Sequence, residues 1–76
     1  MKVISVSALV RRINRKIKHQ GEVLRVCPYG SKGFMAVGRY FVSDARTNML
    51  LHADVELEEL GREIGALRDT EALPPD

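Results

Sequence analysis

The sequence has no tryptophan and only two phenylalanines and two tyrosines in 76 residues. A domain of this length buries only about 60% of the surface that its unfolded chain exposes, so its core is small and has few large side chains to fill it. Because 45% of the residues are nevertheless hydrophobic, we expect a folded domain and not a disordered chain. A second copy of the chain would supply apolar contacts that one copy lacks, so a homodimer is one prediction.

Cysteine is also scarce, since Cys27 is the only one. A single cysteine excludes an intramolecular disulfide, and neither CxxC spacing nor a Cys/His cluster of the kind that binds zinc is present. A nucleophilic Cys27 would need a base beside it, and His19, His52 and Asp44 are the candidates by composition alone, which does not define a site. We therefore expect Cys27 to be a small buried side chain, and we expect no enzymatic activity, no metal and no cofactor.

Long apolar runs are missing as well. No stretch approaches the roughly 18 residues that a membrane span needs, and in MKVISVSALVRR two arginines follow the apolar stretch, which is not the order of a signal peptide. These features predict a cytoplasmic protein without a membrane partner. The proline pair in the final segment DTEALPPD cannot continue a helix, so we expect one domain over residues 1–68 and a mobile tail over 69–76.

Acidic residues are almost absent from the first half of the chain. Residues 1–39 contain nine Lys and Arg but only Glu22 as an acid, a net charge of +8, whereas residues 40–76 contain three Arg and nine Asp and Glu, a net charge of −6. Such a polarised chain favours either a partner for the basic half or pairing between the two halves.

Residues 5–19 predict an amphipathic helix that Ser5 or Ser7 caps and Gly21 ends. Ile13 lies at the centre of its apolar stripe, and we expect this side chain to be largely buried. The apolar positions are Val6, Leu9, Val10, Ile13 and Ile17, and the basic residues spread over the opposite side are Arg11, Arg12, Arg15, Lys16, Lys18 and His19.

Three strands and a second helix are predicted after the first helix. Residues 22–27, 35–43 and 49–52 are rich in aliphatic and β-branched residues, and the segments PYGSKG and DARTN between them contain turn-forming residues. PYGSKG lacks the spacing of a phosphate-binding loop. The sequence therefore predicts an α+β fold, a helix, a three-stranded antiparallel meander and a helix, with both helices on one face of the sheet.

The second helix is expected to begin at Asp54, whose carboxylate is placed to cap it. Leu60 lies at the centre of its apolar stripe and is expected to be largely buried. Gly61 lies near that stripe, which indicates close approach to another element. The stripe consists of Leu57, Leu60, Ile64 and Leu67.

The LVRRINRKI helix and the stretch GRYFVSDARTNMLLHADVELEELGREIGAL resemble a group of small proteins without an assigned activity, encoded by proteobacteria and by their phages or other mobile elements. The resemblance spans roughly residues 8–67. It implies a bacterial or phage setting, and it matches Gly38, Asn48 and Asp54 as turn and cap residues. It assigns no activity to any residue of this chain.

The basic face of the first helix is the main functional signal. Several Lys and Arg on one exposed face suit the phosphates of a nucleic acid, and Asn14 beside them is a candidate for contact with base edges. The sequence therefore predicts a small accessory or regulatory nucleic-acid-binding module. The alternative is a protein interaction or dimerisation module in which Glu56, Glu59 and Glu63 of the second helix meet a basic surface. The candidate nucleic-acid residues are Arg11, Arg12, Asn14, Arg15, Lys16 and Lys18.

Overall fold

Short strands and helices alternate along the chain in the computed structural model, which describes residues 1–28, 30 and 33–75. Part of the predicted PYGSKG loop lies outside these ranges. The α+β class and the order of helix, three antiparallel strands and helix are confirmed, with an additional parallel strand pair. The elements are β1 (Lys2–Val3), α1 (Val6–Ile17), β2 (Glu22–Val26), α2 (Phe34–Val37), β3 (Tyr40–Asp44), β4 (Leu50–His52), α3 (Leu57–Glu63) and β5 (Glu71–Ala72).

Helix α1 begins where the sequence predicts because Ser5 caps it. The Ser5 hydroxyl accepts a hydrogen bond from the Ala8 N–H at 3.2 Å, which satisfies one of the amides that the first turn leaves free. A single 3-10 turn, Lys18–Gln20, follows the helix. Gly21 then adopts φ 74° and directs the chain into β2, a conformation that glycine adopts without steric cost.

Strands β2, β3 and β4 form the predicted antiparallel meander in that order. β2 and β3 pair over five residues each, beginning with Glu22 opposite Asp44. The DARTN segment is the turn into β4, because Asp44 Oδ1 accepts hydrogen bonds from the N–H groups of Arg46 and Thr47 at 2.8 and 3.0 Å. The short polar side chain thus holds the turn by bonding to its backbone.

The segment 35–43, predicted as one strand, is instead a helical turn followed by a strand. The N–H groups of Ala36 and Val37 donate to the Gly33 carbonyl, which forms α2, and Gly38 then turns the chain with φ 76°. A short apolar run fits a helical turn as well as a strand. The glycines at both ends allow this run to form a turn separate from β3.

Helix α3 begins later than predicted, with Glu56 and not Asp54 at its N-cap. Asp54 does not cap it, because this residue adopts φ 51° and its N–H donates to the Val37 carbonyl at 2.8 Å. The N-cap is Glu56, whose side chain makes no capping hydrogen bond, and the helix runs from Leu57 to Glu63. Asp54 therefore belongs to a turn that connects the sheet with α3.

The chain folds back tightly after α3. Gly65 adopts φ 78°, and the N–H groups of Ala66 and Leu67 both donate to the Gly61 carbonyl at 2.7 and 2.9 Å. A Cβ atom at Gly61 would lie 3.1 Å from a methyl carbon of Leu9. The close approach predicted from this glycine is therefore confirmed, and it lets α3 pack directly on α1.

The hydrophobic core lies between α1, α3 and one face of the sheet. Leu24 of β2 lies opposite Val42 of β3 and both are buried, which identifies the inner face. Ile13 is 0% exposed, as predicted, whereas Leu60 is only half-buried at the margin of the core. The buried core residues are Ile4, Leu9, Ile13, Ile17, Leu24, Val42, Leu57, Ala66 and Leu67.

Part of the predicted tail over residues 69–76 belongs to the fold. β5 pairs with β1 as parallel strands, with Lys2 opposite Glu71 and Val3 opposite Ala72. Each strand has only two residues, so neither shows the alternating pattern by which a strand is recognised in a sequence. The pairing brings the two ends of the chain together beside α1.

Candidate nucleic-acid interface

An open groove of about 550 Å³ lies between α1 and the chain that follows α3. Three of the predicted contact residues, Arg12, Arg15 and Lys16, line it. Two further cations, Lys2 and Arg68, complete it and were missed in the sequence analysis because they lie near opposite ends of the chain. We call this site the basic groove, and its lining residues are Lys2, Arg12, Arg15, Lys16, Gly65, Ala66, Arg68 and Glu71.

The single carboxylate in the basic groove already has hydrogen-bond partners. Glu71 is 5% exposed, and its Oε1 accepts from Arg12 Nη1 at 2.9 Å and from the Arg68 N–H at 3.0 Å. The backbone hydrogen bond from Arg68, and then the hydrogen bond from Arg12, hold the pKa of Glu71 below its ordinary value. Glu71 therefore holds Arg12 in place and links α1 to the segment that follows α3.

The remaining cations of the basic groove form no ion pair within the described residues, although the charge of Arg68 also contributes to the lowered pKa of Glu71. Within the described part of the chain, the ion pairs are Arg12 with Glu71 and Arg62 with Glu58. The other four groove cations take part in neither pair. The four groove cations outside the two ion pairs are Lys2, Arg15, Lys16 and Arg68. With Arg12 they make five cations against one carboxylate, which gives the groove a net charge of +4.

Acid should weaken the fold partly through Glu71. Because the pKa of Glu71 is lowered on folding, its charged form stabilises the fold above the ordinary carboxyl pKa, and this contribution is lost as the pH falls through the lower folded pKa. The melting temperature of the wild type should exceed that of a Glu71→Gln variant at pH 7, and the difference should shrink below about pH 4.5. Thermal melts at several pH values test this, and a difference independent of pH would contradict it.

Asn14 has a structural role that the sequence did not indicate. Its Oδ1 accepts from the Leu24 N–H at 2.7 Å, and its Nδ2 donates to the Leu24 carbonyl at 3.2 Å. The amide thus pairs with the outer edge of β2 as a neighbouring strand would. One donor and one acceptor of the Asn14 amide are thus used within the fold, and its contact with a base edge stays a prediction.

Replacing Asn14 with alanine should therefore destabilise the protein. The substitution leaves the part-buried N–H and carbonyl of Leu24 without their partner, which typically costs about 1–3 kcal/mol. Chemical denaturation of Asn14→Ala measures this cost. Asn14→Asp keeps the acceptor for the Leu24 N–H but places a carboxylate oxygen against the Leu24 carbonyl, so it should also unfold at a lower denaturant concentration than the wild type. A wild-type midpoint for Asn14→Ala would refute the role.

The other predicted basic residues lie outside the basic groove. Arg11 borders a separate, mainly apolar groove formed with Val10, Val26 and Tyr40. Lys18 lies in the 3-10 turn after α1 and is exposed. Of the predicted basic residues, Arg12, Arg15 and Lys16 thus line the basic groove, whereas Arg11 and Lys18 lie outside it.

The sequence also argues against three other functions, namely catalysis, metal binding and membrane insertion. Cys27 is buried as predicted, whereas His19 and His52 are exposed. No group of three or more His, Cys, Asp or Glu side chains that could hold a metal ion occurs within residues 1–28, 30 and 33–75. No helix in these ranges has the length and apolar character needed to cross a bilayer.

The acidic helix of the alternative hypothesis is solvent-accessible. Glu56, Glu59 and Glu63 are exposed, while Glu58 pairs with Arg62 at 3.0 Å along the same helix. The three exposed carboxylates are placed as a basic partner would require. That pairing stays a prediction.

No family model, curated protein or solved structure matches the chain. The resemblance to small proteins of bacteria and phages therefore stays a prediction.

Proposed function

We propose that the protein is a small nucleic-acid-binding module that holds the phosphate backbone of its ligand in the basic groove. The observation that carries the proposal is the set of four cations around one groove without ion-pair partners, Lys2, Arg15, Lys16 and Arg68. Like charges held close together repel, and polyanions relieve that repulsion while releasing their own counterions.

The position of these cations supports a specific anion site. They come from β1, α1 and the segment after α3, so their proximity results from the fold and not from a basic run in the sequence. The one nearby carboxylate already bonds Arg12 and the Arg68 backbone. The groove therefore offers positive charge and hydrogen-bond donors, from which an incoming phosphate oxygen can accept hydrogen bonds.

The mode of recognition follows from Asn14. Contacts with phosphates position a protein on a nucleic acid but carry no direct sequence information. Because the Asn14 amide bonds the backbone of Leu24, we do not count it among the groups that read bases. We therefore expect binding with little sequence preference, which suits an accessory role.

Titration of fluorescently labelled duplex DNA and single-stranded RNA tests the proposal. The groove variant carries Arg15→Gln and Lys16→Gln, and the matched control carries Arg11→Gln and Lys18→Gln, which removes the same charge from the same helical region outside the groove. Affinity scales with salt to the power of about −0.9 per phosphate contact, so each contact is worth roughly tenfold near 50 mM salt.

The groove variant should therefore bind about 100-fold more weakly than the wild type, and the control should lose much less. Circular dichroism establishes that both variants are folded. Equal losses in the two variants would contradict a site in the groove. Absence of binding to DNA and RNA at low salt would overturn the function.

A further inference from the structure

The two edges of the three-stranded sheet differ. At the β2 edge, the Asn14 amide bonds both backbone groups of Leu24 and covers the strand. At the β4 edge, no described residue outside β3 forms a hydrogen bond with Leu50, Leu51 or His52. An uncovered strand edge offers backbone donors and acceptors to another strand.

The side chains at the β4 edge are apolar and accessible. Met49 is 64% exposed, Leu50 46% and Leu51 39%. Natural edge strands are commonly protected from other strands by short length, bulges, charged side chains or proline. β4 is short and its register is irregular, but no charged side chain or proline occurs among these three residues. The pairing of β3 with β4 is irregular: Val42 lies opposite His52 and Ser43 lies opposite Leu50, so that Leu51 has no partner on β3.

We propose that a second copy of the chain pairs with this edge, so that β4 lies antiparallel to the partner's β4 and the two sheets join into one of six strands. A two-fold axis near Leu51 makes the strand its own partner, because the same residues serve on both sides of an isologous contact. The proposal concerns the backbone edge of β4, whose three residues are all exposed, and is independent of the proposed nucleic-acid binding.

The charges that flank β4 favour a second copy as the occupant. The turn before the strand contains Arg46, and the segment after it contains Asp54 and Glu56, all exposed. Antiparallel pairing brings the turn of one copy towards the opposite end of the other strand. Arg46 then approaches the partner's Glu56, and the reciprocal contact forms at the other end, so charge complementarity supports this orientation.

Sedimentation velocity on the full chain over a range of concentrations tests the assembly. We expect a reversible dimer that Arg46→Glu weakens at least tenfold, because it places like charges together at both ends. The double variant Arg46→Glu with Glu56→Arg reverses both charges and should restore the dimer. A monomer at all concentrations would overturn the proposal, and so would a dimer that Arg46→Glu leaves unchanged.

Oxidative cross-linking tests the position of the axis in the same full-length protein. In antiparallel pairing about Leu51 the two Cα atoms are about 4.5–5.5 Å apart, which is within the range for a disulfide. Leu51→Cys should therefore give a covalent dimer, with the bond mapped by mass spectrometry to residue 51 in both copies. Val3→Cys, which is 61% exposed at the wild-type side chain, is the control; cross-linking of both variants to the same extent would contradict the pairing.

Discussion

Replacing Ile13 with alanine is expected to lower the free energy of unfolding by about 2–5 kcal/mol. Ile13 is 0% exposed and belongs to the central cluster between α1 and the sheet. The substitution loses the transfer free energy of the removed carbons and leaves a cavity that the neighbouring side chains fill only in part. A domain of this size has a total stability of only about 5 kcal/mol, so the variant should be partly unfolded near 37 °C.

Chemical denaturation and thermal melts measure the effect, and two variants calibrate it. Leu60→Ala should cost less than Ile13→Ala because Leu60 is only half-buried. Arg15→Ala removes an exposed side chain and should change stability by less than about 0.5 kcal/mol. If Arg15→Ala were as damaging as Ile13→Ala, the basic side of α1 would be packed into the protein and the basic groove would not be open.

Replacing Gly38 with alanine is expected to cost about 2–4 kcal/mol, the sum of backbone strain and overpacking. Gly38 adopts φ 76°, a conformation that residues with a Cβ adopt only at a steric cost. A Cβ there would overlap Asp54 Oδ1 and lie 3.1 Å from Asp54 Cα. Asp54 cannot move away freely because its N–H donates to the Val37 carbonyl.

Gly21→Ala separates the two contributions to this cost. Gly21 has nearly the same backbone conformation, φ 74°, but a Cβ would meet nothing within 4 Å, so the variant should show the backbone cost alone, about 1–2 kcal/mol. Denaturation curves of both variants give the difference that belongs to the contact with Asp54. Equal costs for the two substitutions would show that this contact is not tight.

The sequence predicts the elements that have a clear period or a strong local signal. The apolar spacing of α1, the Ser5 cap and the close approach at Gly61 all appear in the structure. The segment 35–43 does not follow the prediction, because a short apolar run between glycines is compatible with either a helical turn or a strand. Asp54 has the residue type of a helix cap, but its hydrogen bond to Val37 places it in a turn before the helix.

The candidate site is less visible in the sequence because it is assembled from distant segments. The basic helix supplies Arg15 and Lys16, which composition and spacing identify. Lys2 joins them through the pairing of β1 with β5, and Arg68 lies in the turn that precedes β5. Strands of two residues leave no pattern in the sequence. Asn14 illustrates the reverse difficulty, since its residue type suits a base edge but its amide bonds Leu24.

The salt dependence of nucleic-acid binding tests the central claim most directly. Four phosphate contacts in the basic groove predict that the logarithm of the association constant for duplex DNA falls against the logarithm of salt concentration with a slope of about −4. The Arg15→Gln and Lys16→Gln double variant should reduce the slope to about −2, because two contacts are lost. Binding that does not weaken as salt rises, or a double variant with the wild-type slope, would contradict phosphate binding in the groove.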